Sequence, residues 1–259
     1  MNFVTCKLMG GLGNNLFQIS AAYSLSIRDN KKFICDKTDI SLSHKPFNRY
    51  EKNIFKKIDF NTNLSNYQIF SEYGFNYNEI PKTNNNLKII GYFQSEKYFK
   101  ENRKDILELF ELPQEIKEKL NKKYSEILFN NTCSIHVRRG DYLKLQDYHN
   151  IIDINYFKKG YEIIGNETQY LIFSDDLEWC KKNLSFIKNK KFIEGNTDYE
   201  DLYLMSICKD NIISNSTFSW WGAWLNNNNN KVIAPKNWFG PKNSHLKTDD
   251  LYCKGWIIL

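Results

Sequence analysis

The second half of the chain alternates short apolar runs with amphipathic segments, and this regularity constrains the fold more than any other feature. The apolar runs predict buried strands, and the segments between them predict helices. Strands that alternate with helices form a parallel sheet. The predicted strands begin at Cys133 and continue at 169–174, 191–194, 211–215 and 231–235, and the predicted helices occupy 156–164, 177–184, 198–208 and 216–225.

The first half follows a similar but less regular plan. A strand over 3–8 leads into the glycine-rich stretch 10–15 and a helix from Leu16 to Arg28. Further strands are predicted at 33–36 and 87–94, and two helices within 96–128 are separated at Pro113, whereas 37–87 has no recognisable pattern. We expect an α/β protein with one domain at 1–130 and a second at 131–259.

Composition narrows the class of ligand. The 259 residues are 41% apolar and 15% aromatic, with a formal net charge of +6. The lysines are dispersed rather than clustered, which favours an anionic small ligand over a nucleic acid.

The sequence lacks the motifs of several common types of site. The six cysteines include no Cys-x-x-Cys pair, and most of them are interpreted as core residues. The four histidines have no metal-ligand spacing, and no Asp-x-Asp occurs. No apolar run approaches the ~20 residues that span a bilayer, and the N-terminus enters a strand directly. We expect a cytoplasmic protein, free or peripheral to the inner face of the membrane, that binds no metal.

The most informative stretch is 133–142, an apolar strand that ends in charged residues. Ligands bind at the carboxyl ends of strands in open α/β sheets, and a guanidinium fork suits phosphate. Arg138 and Arg139 point in opposite directions if the strand continues through them, so one can reach a ligand while the other braces the scaffold. The alternative is a structural ion pair with Asp141. His136 shares a face with Arg138 and is either a ligand contact or a core histidine.

Residues 214–219 place four hydroxyl-bearing residues and an amide at a strand-to-helix turn. Backbone N–H groups, a helix dipole and hydroxyls converge there to form an anion cradle, although a plain helix cap is the alternative. Trp220, Trp221 and Trp224 are interpreted as packing residues that lie against the sheet, and the alternative is that one of them flanks a sugar.

Two further motifs leave alternatives open. The stretch 10–15 matches neither Gly-x-Gly-x-x-Gly nor a P-loop, so its glycines serve either a ligand or a tight turn. Asp175 and Asp176 have four alternative roles: a metal site, an acid/base pair, a support for the arginines or a helix cap.

Together, the motifs at 10–18, 136–142, 173–176 and 215–225 resemble bacterial α-1,2-fucosyltransferases of glycosyltransferase family 11, and the resemblance extends from residue 7 to about residue 239. It implies a GT-B-like fold, in which two Rossmann-type domains with parallel sheets face a cleft. It also implies inverting transfer of L-fucose from GDP-fucose to the 2-hydroxyl of a galactoside, without a metal or another cofactor.

The resemblance implies the role of Arg138, and the chemistry of such a transfer suggests candidates for the other roles. Arg138 would stabilise the β-phosphate, and Asp201 would bind guanine unless it is only a helix N-terminal acid. Asp141 is the candidate base, with His136 and Asn14 as the other candidates for acting on the acceptor hydroxyl. The candidate donor-binding set is Gly11, Gly13, Asn14, His136, Arg138, Asp175, Asp176, Asp201, Ser216, Thr217, Phe218 and Ser219.

Other functions remain open at this point. One is another GDP-sugar transferase, such as an α-1,6- or O-fucosyltransferase, and another is a sugar- or nucleotide-binding module without catalysis. The acceptor glycan and the oligomeric state are left open, and acceptor choice is expected to lie within 37–87.

Overall fold

The structure is a computed structural model that describes residues 2–38, 47–228 and 231–259 of the chain. It divides into two compact units. Unit 1 comprises Met1–Pro113 and Lys247–Tyr252, and unit 2 comprises Gln114–Leu246 and Cys253–Leu259.

The division between the units precedes the boundary near residue 130 that the sequence suggests. The segment after Pro113 belongs to unit 2, and its Leu120 and Tyr124 are buried. Lys119 in the same segment pairs with Glu200 at 2.9 Å.

Unit 1 contains a four-stranded parallel sheet with the order β2-β1-β6-β5 and a separate two-stranded sheet of β3 and β4. Its strands are β1 (Phe3–Cys6), β2 (Lys32–Phe33), β3 (Cys35–Asp36), β4 (Phe60–Asn61), β5 (Tyr67–Ser71) and β6 (Asn86–Ile90), and its helices are α1 (Leu12–Arg28), α2 (Asn48–Glu51) and α3 (Arg103–Leu109).

Three features of unit 1 differ from the predictions. The predicted strand at 33–36 is two short strands, because the Ile34 N–H bonds to Val4 in one sheet and the Cys35 N–H to Asp59 beside the other. Strand β5 lies within 37–87, where no pattern was recognisable. The alternation is missing because this edge strand exposes residues on both faces. Helix α1 begins at Leu12 rather than Leu16, because the extended backbone of Gly11 already serves as the N-cap.

Unit 2 contains a six-stranded parallel sheet with the order β12-β11-β10-β7-β8-β9. The predicted parallel sheet is therefore confirmed, and the two-residue edge strand β12 is an addition. The strands are β7 (Thr132–Val137), β8 (Gln169–Ser174), β9 (Lys190–Phe192), β10 (Asp210–Ile212), β11 (Val232–Ala234) and β12 (Ile257–Ile258), and the helices are α4 (Gln114–Lys123), α5 (Ile154–Ile164), α6 (Leu177–Asn183), α7 (Asp198–Ile207) and α8 (Thr217–Trp224).

The core of unit 2 surrounds β7, whose six residues are all buried. Helix α5 approaches the sheet closely, since a Cβ added at Gly160 would lie 2.9 Å from Ile212. The three tryptophans of α8 are buried and pack against one another, which confirms their interpretation as packing residues. Five of the six cysteines are buried free thiols, as predicted.

Each main sheet has a point at which the strand order reverses. In unit 2 the chain proceeds outward from β7 through β8 to β9 and returns to β10 beside β7. In unit 1, β6 returns beside β1 after β2 has been added on the other side. Ligands of open α/β sheets bind at such points, beyond the carboxyl ends of the strands. The segments after β7 and β10 therefore lie where a sheet of this kind binds its ligand.

Within 2–38, 47–228 and 231–259, none of the helices combines the length and the apolar character that crossing a bilayer requires.

Candidate active site

Arg138 follows directly after β7 and holds two carboxylates with its guanidinium fork. Its Nη2 lies 2.7 Å from Asp141 Oδ1, and its Nη1 lies 2.9 Å from Asp175 Oδ2. The Arg138 side chain is 33% exposed, and that of Asp141 is 52% exposed. The fork is therefore held in place and still accessible to a ligand.

Arg139 has a different environment from its neighbour. Its side chain is only 15% exposed and pairs with Asp176 at 3.2 Å. The guanidinium carbon lies 4.2 Å from the centre of the Trp179 ring, a cation–π arrangement. Strand β7 ends at Val137, so the two arginines lie just beyond it. Arg139 braces the scaffold, and Arg138 forms the ion pair with Asp141 that was the structural alternative. The contact of Arg138 with a ligand stays a prediction.

The two aspartates after β8 support these arginines. Asp175 accepts a hydrogen bond from the Arg139 backbone N–H at 2.9 Å as well as pairing with Arg138. Asp176 caps α6 by accepting a hydrogen bond from the Trp179 N–H at 3.1 Å, and it also pairs with Arg139. The support and capping alternatives therefore both apply.

His136 is buried, and its Nδ1 is hydrogen-bonded to Ser214 Oγ at 2.9 Å. Burial, with a smaller contribution from Arg138, lowers the pKa of His136 to about 4. The imidazole is therefore neutral near pH 7 and joins the end of β7 to the segment after β10. Its position fits the core alternative, in which the ring is satisfied by a neighbouring hydroxyl.

Tyr142 is the last residue of the stretch 133–142, and no role in the site was predicted for it from the sequence. Its ring centre lies 5.3 Å from the Arg138 guanidinium carbon, and its hydroxyl donates to the Asn215 carbonyl at 3.1 Å. The ring also stacks on that of His149, with the two ring centres 4.1 Å apart. Tyr142 thus ties the arginine loop to the turn after β10.

That turn leads into α8, with Ser216 as the N-cap. The Ser216 hydroxyl accepts a hydrogen bond from the Phe218 N–H at 3.3 Å. The Ser219 hydroxyl lies 3.3 Å from Ser214 Oγ, so it extends the connection to His136. Thr217 and Phe218 are half-buried, and the positive end of the helix lies at the carboxyl edge of the sheet. Both the cap and the anion cradle are consistent with this geometry.

Asp201 lies in the first turn of α7, but it does not cap that helix. Thr197 and Glu200 form the capping box instead. Asp201 accepts a hydrogen bond from Asn196 Nδ2 at 2.9 Å, and burial raises its pKa to about 6. Asp201 is therefore one of the three acidic residues in the first turn of α7, as the helix N-terminal alternative has it, and its contact with guanine stays a prediction.

The remaining candidates lie in unit 1, around the N-terminus of α1. Gly10 has a φ of +75° and no room for a Cβ beside Asn14, so it is a tight-turn residue. Gly11 caps α1 without a side chain, and Gly13 is buried inside the helix. Asn14 accepts a hydrogen bond from Gln94 Nε2 at 3.0 Å.

The structure thus gathers most of the predicted residues at one edge of the unit 2 sheet. Arg138, Asp141, Asp175 and Asp176 form one charged cluster, and His136 joins it to the α8 turn. Asp201 is on α7, whereas Gly11, Gly13 and Asn14 belong to unit 1. No group of three or more histidine, cysteine or acidic side chains suited to a metal occurs in the described part of the chain.

A family model described as Glycosyl transferase family 11 matches residues 1–259. The chain belongs to glycosyltransferase family 11. It is therefore a glycosyltransferase, and the resemblance drawn from its motifs is confirmed at the level of the family.

Two curated relatives illustrate the range of this family. An α-1,2-colitosyltransferase of Escherichia coli is 33% identical over 99% of this chain and 99% of its own length. Human galactoside α-(1,2)-fucosyltransferase 1 is 25% identical over 62% of this chain and 48% of its own length.

Among solved structures, the crystal structure of NodZ α-1,6-fucosyltransferase soaked with GDP-fucose has a TM-score of 0.56 and 13% identity. The alignment covers 86% of this family 11 chain and 93% of NodZ. The expected α/β, GT-B-like fold is confirmed by this similarity.

Proposed function

We propose that this family 11 enzyme transfers L-fucose from GDP-β-L-fucose to the 2-hydroxyl of a galactoside, with inversion at the anomeric carbon and without a metal ion. The observation that carries the proposal is the accessible guanidinium fork of Arg138, which lies after β7 at the point where the strand order of unit 2 reverses. The names of the human relative and of the NodZ complex support the acceptor and the donor, respectively.

In such a transfer, the acceptor oxygen attacks the anomeric carbon while the bond from that carbon to the β-phosphate oxygen breaks. GDP leaves with additional negative charge on its β-phosphate, which a cationic group must stabilise in the transition state. Arg138 supplies a fixed fork for two phosphate oxygens, and the first-turn N–H groups of α8 supply further donors. Together they provide the positive charge that a divalent ion provides in other transferases.

The two carboxylates on Arg138 suit different roles in this scheme. Asp175 is held by the Arg139 backbone, so it keeps the guanidinium oriented. Asp141 is half exposed on a single 3-10 turn, Asp141–Lys144, so a phosphate can displace it from Arg138. The released Asp141 carboxylate then accepts the proton of the acceptor hydroxyl. His136, which is neutral and bonded to Ser214, positions the two loops and does not act as the base.

Asp201 is the proposed guanine contact. An ionised carboxylate accepts two hydrogen bonds in parallel, and guanine offers two adjacent N–H donors on one edge. Its location on α7 places Asp201 at the same edge of the sheet as the α8 turn, because both helices return from carboxyl ends of parallel strands.

A second donor has a specific observation in its favour. The relative with 33% identity over nearly the whole chain is named a colitosyltransferase. Colitose is fucose without its 3-hydroxyl, so a single polar contact decides between the two sugars. A site that hydrogen-bonds a hydroxyl rejects the analogue that lacks it by about 10⁴-fold or more.

The test is incubation of the protein in EDTA with either GDP-fucose or GDP-colitose and a β-galactoside, followed by NMR of the product. We expect an α-1,2-linked product from GDP-fucose, which Arg138→Ala should form about 10²–10³ times more slowly. Product from GDP-colitose but not from GDP-fucose would show that GDP-colitose is the donor. A different linkage, or a requirement for a divalent ion, would refute the proposed reaction.

A further inference from the structure

Two exposed tyrosines follow neighbouring strands of unit 1 at the same edge of its sheet. Ser71 at the end of β5 is paired with Ile90 at the end of β6, and both strands run in the same direction. Tyr73 and Tyr92 each lie two residues beyond that pair, and they are 68% and 43% exposed. Tyrosine presents a large apolar face together with a polar tip, which makes it frequent at recognition surfaces.

Glu72, which lies between Ser71 and Tyr73, fixes the turn that carries Tyr92. Its carboxylate accepts hydrogen bonds from the N–H groups of Tyr92 at 2.6 Å and Phe93 at 3.0 Å. Its own N–H donates to the Ile90 carbonyl at 2.8 Å. Burial raises the pKa of Glu72, and the two backbone hydrogen bonds oppose that rise. The Glu72 carboxylate is therefore occupied by hydrogen bonds from the backbone of the turn.

The backbone of this turn is itself unusual. Phe93 is a buried, non-glycine residue with a φ of +52°. Gly91 has a φ of +158°, and a Cβ added there would lie 2.4 Å from the Glu72 Cβ. A bulky residue held at positive φ costs roughly 1–3 kcal/mol and persists only where surrounding contacts impose it. Such positions cluster at functional sites.

The turn directs Gln94 towards α1. Gln94 donates its hydrogen bond to the Asn14 amide oxygen at 3.0 Å. Buried Gln18 joins the same two segments, because its amide donates to the Gly91 carbonyl at 3.1 Å and accepts from the Met9 N–H at 3.0 Å. The amide pair and the Tyr92 turn therefore lie together where β6 returns beside β1.

The segment that carries Tyr73 is also anchored. The Asn78 side chain donates to the Tyr73 carbonyl at 2.8 Å, and the Asn78 N–H donates to the Tyr98 hydroxyl at 2.9 Å. The neighbouring Tyr77 N–H donates to Asp250 at 2.9 Å. Both exposed rings thus project from fixed backbones, which reduces the entropy lost when a ligand is bound.

We infer that Tyr73, Tyr92, Asn14 and Gln94 bind a neutral pyranose ring of the acceptor, and that Glu72 is the positioning residue for this surface. This inference rests on the proposed function and extends it to the acceptor. The tyrosine rings contact the apolar C–H face of the sugar, and the amides exchange hydrogen bonds with its hydroxyls. Because Glu72 is used by the backbone and the other four side chains are neutral, the surface suits an uncharged sugar.

The experiment compares Tyr73→Ala, Tyr92→Ala and Glu72→Gln with wild type, using the galactoside that wild type fucosylates. Ile69→Ala is the matched control, because Ile69 is 59% exposed on the same strand, β5, but lies before its carboxyl end. We expect each test variant to raise KM for the acceptor about tenfold. KM for GDP-fucose and the Kd of GDP stay within about twofold of wild type, because the donor-binding residues are untouched.

The outcomes separate this inference from the proposed function. Wild type that transfers no sugar and binds no GDP would refute the proposed function. Active wild type, with Tyr73→Ala and Tyr92→Ala indistinguishable from Ile69→Ala in acceptor KM, would refute this inference alone. Equal increases in KM for acceptor and donor would refute it as well. If Glu72→Gln does not fold, the acceptor KM values of Tyr73→Ala and Tyr92→Ala still test the inference.

Discussion

Replacement of Arg138 separates a role in catalysis from a role in folding. Its two ion pairs involve side chains that are 27% to 52% exposed, and pairs of this kind contribute at most about 1 kcal/mol each. Its contact with the Tyr142 ring at 5.3 Å adds about 0.5–1 kcal/mol. Arg138→Ala should therefore lower the free energy of unfolding by only about 1–2 kcal/mol.

The effect of Arg138→Ala on turnover should be much larger. Removal of one preorganised donor from a developing oxyanion costs about 2.7–4 kcal/mol, or about 10²–10³ in kcat. Arg138→Lys keeps the charge but loses the planar fork, so we expect a smaller but clear loss. The assay is steady-state release of GDP in the presence of acceptor, combined with urea unfolding of each variant.

Arg139 provides the matched control at the adjacent position. Arg139→Ala removes the pair with Asp176 and the stacking on Trp179, which should cost about 1–2 kcal/mol of stability while kcat stays within a few-fold. A pattern in which Arg138→Ala retains near wild-type kcat would refute the phosphate role. A collapse of kcat in Arg139→Ala, with Arg138→Ala unaffected, would mean that the two roles are reversed.

Three further perturbations follow from the geometry of unit 2. Burial raises the pKa of Asp201 to about 6, so its carboxyl is ionised above that pH and protonated below it. GDP binding measured by calorimetry should weaken up to about tenfold per pH unit below about pH 6, relative to Asp201→Asn, which has no such titration; parallel profiles would contradict the guanine role. A Cβ at Gly140 would lie 2.6 Å from Asp175 Oδ2, the oxygen that pairs with Arg138. Gly140→Ala should therefore lower kcat about tenfold with a small change in melting temperature, and unchanged kcat would contradict this coupling. A Cβ at Gly222 would lie 2.9 Å from Met205 Cβ, where α7 packs on α8. Gly222→Ala should lower the free energy of unfolding in urea by about 1–3 kcal/mol, because overpacking exceeds the gain in helix propensity of at most about 1 kcal/mol; a stabilised variant would contradict the tight packing.

The regular half of the fold was predictable because its signals are local. The buried strand β7 and the charged residues after it stand out in the sequence, and an open sheet brings the ends of its strands to one edge. Strand β5 was not predictable, since its exposed Ile69 and half-buried Phe70 do not form an alternating pattern.

The contacts inside the sites depend on distant parts of the chain. The sequence suggested that Asp175 and Asp176 support the arginines, but not which aspartate meets which arginine. Glu72 gave no signal, because its partners at Tyr92 and Phe93 are reached only through strand pairing of β5 with β6. Side-chain hydrogen bonds of this kind follow from tertiary structure rather than from spacing along the chain.

The most direct test of the central claim is a thermal-shift panel of GDP, UDP, CMP and ADP in EDTA, with wild type and Arg138→Ala. A ligand that binds only the folded state adds about 2.7 kcal/mol of stability at a hundred times its Kd. Stabilisation of wild type by GDP alone, and its reduction in Arg138→Ala, is the predicted result. Stabilisation by UDP, stabilisation that appears only after a divalent metal is restored, or an equal response of both proteins would contradict a metal-free GDP site built on Arg138.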